Sequence, residues 1–247
     1  MFFFKKTKLV VDAFTKVPGL EQFYPIDSAK KFFPDWWKQL PKTHIWKDSN
    51  GIDIEQSTLK RCDGFVELYK NGIVIPLWSD IALRTGAEGQ WAYHSSQKDT
   101  ILESHPKEQY GDEFNNYSHI KIVSPWFLSE KTGCNFYYAP ATWNLTAHYS
   151  DFILPPGIIN FKYQGSVHVN TFFHKVDKQI LLEAGTPLVQ LIPLSDKEVV
   201  VKCHTLSQDE YSKKVESKTY AAKFMSKYKA KKKIIDSGNK CPFGFGK

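Results

Sequence analysis

Histidines in the second half of the sequence are the first residues whose type could do chemistry. His168 and His174 are six positions apart, so a strand would place both side chains on one face. Imidazole nitrogens are common metal ligands, and His94 or His148 could complete a set. The sequence has neither a His-x-His pair nor a His-x-Asp pair. We therefore expect no metal ligands here, and polar positions on an exposed strand face explain the same histidines.

A second group of residues lies in the segment 157–192, which reads GIINFKYQGSVHVNTFFHKVDKQILLEAGTPLVQLI. Gly157 and Gly165 flank a tight β segment, and larger side chains at these two positions would clash. Val167 and Val169 alternate in the manner of strand residues that point inward. Gly185 lets the chain turn into a final apolar strand.

This segment resembles the third and fourth motifs of trimeric dUTPases and their dCTP deaminase relatives, without a gap. The matching positions are Gly157, Ile159, Tyr163, Gly165, Val167, Val169, Gly185, Gln190 and Leu191. The resemblance covers about a sixth of the chain. It implies a dUTPase-like jelly-roll or β-barrel, a homotrimer and a nucleoside pocket in which Tyr163 packs under the deoxyribose.

The departures from the family pattern bear on catalysis. The Asp that activates water in dUTPases is Asn160 here, and an amide cannot take the proton. The Glu of the deaminases corresponds to Asn170. The resemblance therefore implies a deoxynucleotide site at Asn160, Tyr163, Gly165 and Asn170 that has lost its catalyst. No catalytic residue is assigned, although a shifted carboxylate, Asp151 or Glu67, could act instead.

Weaker similarities extend to the phosphate-binding elements of the same family. Thr142 could supply the hydroxyl of a motif whose Arg-Ser pair is missing here. The glycine-rich tail Gly244, Phe245 and Gly246 is similar to the arm that closes over the phosphates. A loose terminus explains these glycines equally well. We expect no cofactor, except Mg²⁺ if nucleotide phosphates bind.

The elements that must position these residues are mostly short strands. Runs at 8–15, 90–95, 119–123, 135–138, 152–154, 158–163, 166–173, 179–182, 187–192 and 198–203 predict strands, with a turn at 131–133. Residues 64–83 predict a hairpin that turns at Asn71-Gly72, and residues 98–118 predict a loop. The box Ser207-Gln-Asp-Glu210 begins a helix. The sequence thus predicts a mainly-β fold with a C-terminal basic α-helix.

Charge and composition divide the chain unevenly. Residues 213–247 hold eleven Lys against Glu216 and Asp236, a net of +9, so the rest carries about −2 of the total +7. A polyanion or an acidic protein surface is therefore a candidate partner for the lysine-rich helix. We predict an N-terminal elaboration at 1–60, a dUTPase-like β domain at 61–206, and the basic helix and tail at 207–247.

Four cysteines without a CxxC pair, and no long apolar run, favour a reducing, cytoplasmic setting without membrane contact. The Trp-Trp-Lys-x-Leu-Pro stretch and the Cys-Pro ending also resemble proteins of marine phages, which implies an infected host cell.

Our leading hypothesis is a deoxynucleotide-binding, dUTPase-related protein without catalysis. One alternative is a viral structural or host-interaction module on a β scaffold. The other is a metal-dependent enzyme of cupin type, since Pro155-Pro156-Gly157 is similar to a turn of cupin barrels.

Overall fold

The structure of the chain is a computed structural model that describes residues 8–96 and 101–223, together with Lys232 and Asp236. The fold is mainly β, as the sequence predicts. Its strands are β1 (Lys8–Thr15), β2 (Asp27–Ser28), β3 (Thr43–Lys47), β4 (Asp53–Ser57), β5 (Ile73–Pro76), β6 (Ile81–Thr85), β7 (Trp91–Ser95), β8 (Leu102–Ser104), β9 (Tyr117–Ile122), β10 (Phe127–Glu130), β11 (Asn135–Pro140), β12 (Phe152–Ile153), β13 (Gly157–Asn160), β14 (Val169–His174), β15 (Lys178–Leu182), β16 (Pro187–Pro193) and β17 (Glu198–Thr205).

Helices are short except near the C-terminus. The α-helices are α1 (Leu20–Phe23), α2 (Asp35–Gln39), α3 (Asp63–Lys70) and α4 (Gln208–Lys223). Single 3₁₀ turns occupy Ala29–Phe32, Leu59–Arg61, Lys107–Gln109, Asp112–Phe114, Thr142–Asn144 and Thr146–His148.

The strands form five sheets, and no sheet closes on itself within the described ranges. Their spatial orders are β13-β11-β16-β5-β2, β12-β14-β9-β8, β10-β1-β17, β15-β6-β7 and the separate hairpin β3-β4. All pairings are antiparallel except that of β1 with β17. Because β1 lies between β10 and β17, the first described strand is a central strand of its sheet.

The core lies between the four larger sheets, because each contributes an apolar face. Strand β9 alternates strictly, with Ser118, Ile120 and Ile122 buried and the intervening side chains only partly covered. Strand β16 has both faces covered at Leu188 to Leu191, as expected of a strand with neighbours on each side. Burial of this apolar surface is the main stabilising contribution to the fold.

A second, smaller cluster is aromatic and lies around α3. Phe65 and Tyr69, four residues apart, are buried on one face of this helix. Trp36 and Trp37 pack against the same face, and each indole N–H donates to a backbone carbonyl at 3.0 Å. The two adjacent tryptophans therefore have a structural role in this cluster.

The predicted hairpin at 64–83 is wrong in its first half. Residues Asp63–Lys70 form α3, because the apolar side chains recur at helical spacing and Asp63 suits the first turn. Gly72 does not serve a hairpin turn, but its backbone conformation and close packing require glycine. Its φ is 125°, and a Cβ there would lie 2.7 Å from the carbonyl oxygen of Leu191.

The predicted strands at 8–15, 179–182 and 187–192 coincide closely with β1, β15 and β16. The turn at 131–133 is also confirmed, with Gly133 at φ 83°. The predicted loop at 98–118 contains β8 and two 3₁₀ turns in its described part. The capping box is present: the Ser207 N–H donates to Glu210 Oε2 at 3.0 Å, and the Glu210 N–H donates to Ser207 Oγ at 3.4 Å.

Among the described residues, no helix combines the length and the apolar character that crossing a membrane requires.

Candidate functional site

Buried and more exposed residues alternate along 163–170, and the more exposed ones form the candidate site. Tyr163, Gly165, Val167 and Val169 are buried, whereas the side chains of Gln164, Ser166, His168 and Asn170 line a cavity of about 420 Å³. Tyr163 and Gln164 close a turn on the carbonyl oxygen of Asn160, whereas Ser166 bridges to Phe127 and β14 begins at Val169. In such β stretches, successive side chains point to opposite faces. The segment that carries the family resemblance therefore presents its even-numbered residues to the cavity.

Strands β9, β11 and β13 and two segments between strands complete this cavity, which we name the polar pocket. The remaining lining residues are His105, Lys121, Tyr138, Pro155, Pro156, Gly157, Ile158 and Ile159. Lys121 comes from β9, opposite Asn170 in the strand register. Tyr138 comes from β11, and its hydroxyl donates to the carbonyl oxygen of His168 at 3.2 Å. A pocket of this size accommodates a small organic ligand.

His168 is a neutral hydrogen-bond donor in this pocket. Burial, followed by the charge of Lys121, lowers the pKa of its imidazole. The Ser124 N–H donates to His168 Nδ1 at 3.2 Å. Because Nδ1 accepts, the neutral ring carries its proton on Nε2. His168 also lines a second cavity of about 330 Å³, which the α4 residues Tyr211 and Val215 help to enclose.

Lys121 is the cation of the polar pocket. Its side chain is only 18% exposed, and its Nζ lies 2.5 Å from Glu103 Oε2 on β8. The Lys121 ammonium lowers the pKa of Glu103 below its ordinary value. The ion pair holds the ammonium in place, so an anionic group of a ligand would meet a positioned charge.

An aromatic stack continues the pocket along the same face of the sheet. The His119 ring stacks on His105 at 4.7 Å and on Phe172 at 4.6 Å between centroids. Burial lowers the pKa of His119, which favours its neutral form. The stack places flat aromatic rings beside the polar side chains of the pocket.

The lining of the pocket is rich in groups that can bind a ligand. Gln164 and Asn170 each offer an amide that both donates and accepts, beside the Ser166 hydroxyl and the His168 N–H. None of the described residues that line it is a carboxylate. This set suits a ligand with a donor–acceptor edge and one anionic group.

The structure places Asn160 and Tyr163 outside the polar pocket. Asn160 is buried, and its Nδ2 donates to Gly133 O at 2.8 Å and to Asn135 Oδ1 at 2.7 Å. It braces the turn after β10. The Tyr163 hydroxyl lies 2.9 Å from Asp236 Oδ1, and burial together with this hydrogen bond raises its pKa.

The other predicted residues are dispersed. Gly165 lies against the ring of Phe127, which leaves no room for a Cβ. Thr142 is exposed and lines a separate cavity with His148. Gly244, Phe245 and Gly246 lie outside the described residues. Of the predicted nucleotide-binding residues, the structure brings only Asn170 into the pocket.

The two candidate carboxylates also lie away from the pocket. Glu67 is exposed on α3 and pairs with Lys70. Asp151 is buried, with Oδ2 at 2.9 Å from His148 Nδ1 and Oδ1 paired with Lys178. Burial alone would raise the pKa of Asp151, but hydrogen bonds from these two partners outweigh it and lower the value.

The histidines considered as metal ligands do not gather in one place. His148, His168 and His174 line three different cavities. Within the described ranges, no group of three or more His, Cys, Asp or Glu residues is arranged to hold a metal ion.

Sequence reasoning missed Lys121, His105 and Tyr138, which come from distant parts of the chain. A signal for the rest was available: Gln164, Ser166, His168 and Asn170 are polar at every second position, between apolar or small residues.

Comparison with models of protein families gives no match, and comparison with curated proteins gives no significant match.

Proposed function

We propose that this protein binds a pyrimidine deoxynucleotide in the polar pocket without hydrolysing it. The observation that carries the proposal is the convergence of Lys121, His168, Gln164 and Asn170 on one cavity formed by the dUTPase-like segment. The ammonium of Lys121 would meet the phosphate. The two amides would meet the donor–acceptor edge of the base, as side-chain amides do in other nucleotide sites.

The described lining lacks a carboxylate, the group that activates water in the dUTPases that the segment resembles, and this supports binding over hydrolysis. The dUTPase-like ancestry and the viral setting are parts of the same proposal and rest on the sequence resemblance.

Calorimetric titration with dUMP, dCMP, UMP and inorganic phosphate tests the proposal. We expect the two deoxynucleotides to bind, and Lys121→Met or Asn170→Ala to weaken binding about tenfold or more, since each loses a hydrogen bond to the ligand. Lys131→Met is the matched control, because Lys131 is an exposed lysine outside the pocket. Failure of every nucleotide to bind, or full affinity in both pocket variants, would refute the proposal.

Tyr163→Phe distinguishes nucleotide binding in the polar pocket from binding at Tyr163, where the family resemblance would place it. The Tyr163 hydroxyl faces Asp236 and its side chain is absent from the pocket lining, so we expect unchanged affinity. A large loss of affinity would move the nucleotide to Tyr163.

A second candidate, an interaction module, is favoured by the hairpin of β3 and β4, whose side chains are almost all exposed.

A further inference from the structure

The hairpin of β3 and β4 exposes an unusual amount of apolar surface for its size. Ile45 is 62% exposed, Trp46 46%, Ile52 59% and Ile54 38%. The two strands form a sheet of their own, with no further strand among the described residues. A two-stranded hairpin is marginally stable in water by itself, and an open edge with apolar side chains is a template for pairing.

Hydrogen bonds at the two ends of the hairpin show which backbone groups are free. The Asp48 N–H donates to Ile52 O at 3.0 Å, and the Thr58 N–H donates to Lys42 O at 3.1 Å. In an antiparallel pair, every second residue of a strand directs its N–H and C=O groups to the partner strand, and the residues between direct theirs away from it. His44 and Trp46 therefore bond toward β4, and the N–H and C=O groups of Thr43, Ile45 and Lys47 point to the open edge of β3.

We propose that the open edge of β3 pairs with β3 of a second copy of this chain, antiparallel about a two-fold axis at Ile45. This pairing sets Ile45 opposite Ile45, Thr43 opposite Lys47, and His44 opposite Trp46. About six backbone hydrogen bonds form, since the outward groups of all three edge residues find partners. The result is a four-stranded sheet that spans two protomers, with the same surface used on both sides.

Side-chain contacts favour β3 over β4 as the strand that pairs with its own copy in a second chain. On one face, Trp46 lies between Ile54 of its own hairpin and His44 of the other copy. On the opposite face, the two Ile45 side chains meet at the axis. The same operation on β4 would set Glu55 opposite Glu55, and like charges directly opposite each other destabilise a sheet.

Sedimentation or light scattering of the full chain over the micromolar range tests the pairing. We expect a particle of about twice the chain's 28.5 kDa. Ile45→Pro removes an outward N–H without touching the bonds to β4, and it should return the mass to a single chain. Glu55→Pro removes the equivalent outward N–H on β4, so this matched variant should remain a dimer.

Ile45→Lys keeps the N–H but sets two cations opposite each other, and it should also dissociate the particle. Amide exchange gives a second readout, because the Ile45 N–H should exchange slowly in the dimer and quickly in Ile45→Lys. A single-chain mass at every concentration, a three-chain mass, or equal dissociation by Glu55→Pro would each overturn the proposal.

Discussion

At the scale of single residues, Asn160 has a structural task in the turn after β10. Its amide donates to two oxygens, and its Oδ1 accepts from the Lys162 N–H at 3.1 Å. A carboxylate could make only the last of these three bonds. The asparagine therefore fits this turn better than an aspartate would.

Asn160→Asp should lower the free energy of unfolding by about 1–3 kcal/mol, because the buried side chain loses the two hydrogen bonds that its amide donates. It should not produce dUTP hydrolysis, since the side chain faces the turn and not the polar pocket. Urea unfolding and pyrophosphate release measure the two effects. Asn50→Asp, at an exposed turn position, is the control and should unfold like the parent. Hydrolysis by Asn160→Asp would contradict this account.

Gly165 and Gly157 both match the family pattern, but only one of them is sterically required. A Cβ at Gly165 would overlap the Phe127 ring, whereas a Cβ at Gly157 would meet nothing within 4 Å. Gly165→Ala should therefore cost about 1–3 kcal/mol of stability through overpacking, and Gly157→Ala should cost little. Thermal unfolding of the two variants gives the comparison, and equal stabilities would show that Phe127 moves aside freely.

At the scale of elements, α3 and its aromatic neighbours form a unit that the β pattern concealed. The Phe65 ring lies within 5.2–5.7 Å of the rings of Trp36, Trp37, Tyr69 and Trp143, measured between centroids. These contacts connect α2, α3 and the turn after β11. The cluster covers one end of the five-stranded sheet, since Val74 of β5 belongs to it.

Phe65→Ala should destabilise the protein by about 3–5 kcal/mol, as the loss of a buried aromatic ring commonly does. It should also reduce the near-ultraviolet circular dichroism of the neighbouring tryptophans, because their rings lose a fixed packing partner. Phe23→Ala is the matched control, since Phe23 is 74% exposed. A similar small loss in both variants would show that the cluster contributes little.

At the scale of the whole molecule, charge is separated along the chain. The lysines at 227, 229 and 231–233 follow a body of nearly balanced charge. Apart from Lys232, they lie outside the described residues. Clustered cations bind polyanions by releasing counterions, so the attraction weakens as salt rises.

Replacing these five lysines with glutamine should abolish salt-dependent retention on heparin. The control variant replaces five exposed lysines of the body and changes the total charge equally: Lys16, Lys42, Lys131, Lys197 and Lys202. Because its substitutions are dispersed, the control should keep most of its retention. Equal losses in the two variants would mean that total charge, and not the C-terminal cluster, determines binding.

The sequence by itself determined the features that depend on near neighbours. Short apolar runs predicted β1, β15 and β16, and the capping box at Ser207 predicted the start of α4. The sequence also predicted that Val167 and Val169 point inward, and both are buried, as strand geometry implies.

Only the tertiary structure decided which strands meet and what they enclose. For residues 63–70 the local signals conflict, since helical spacing of apolar side chains favours a helix and Asn71-Gly72 favours a hairpin. The aromatic partners of α3 decide in favour of the helix. Lys121 and Asn170 are 49 positions apart and face each other because β9 and β14 pair in one register. A register shift of one residue would have directed the opposite face to the pocket, and only long-range packing selects between the two.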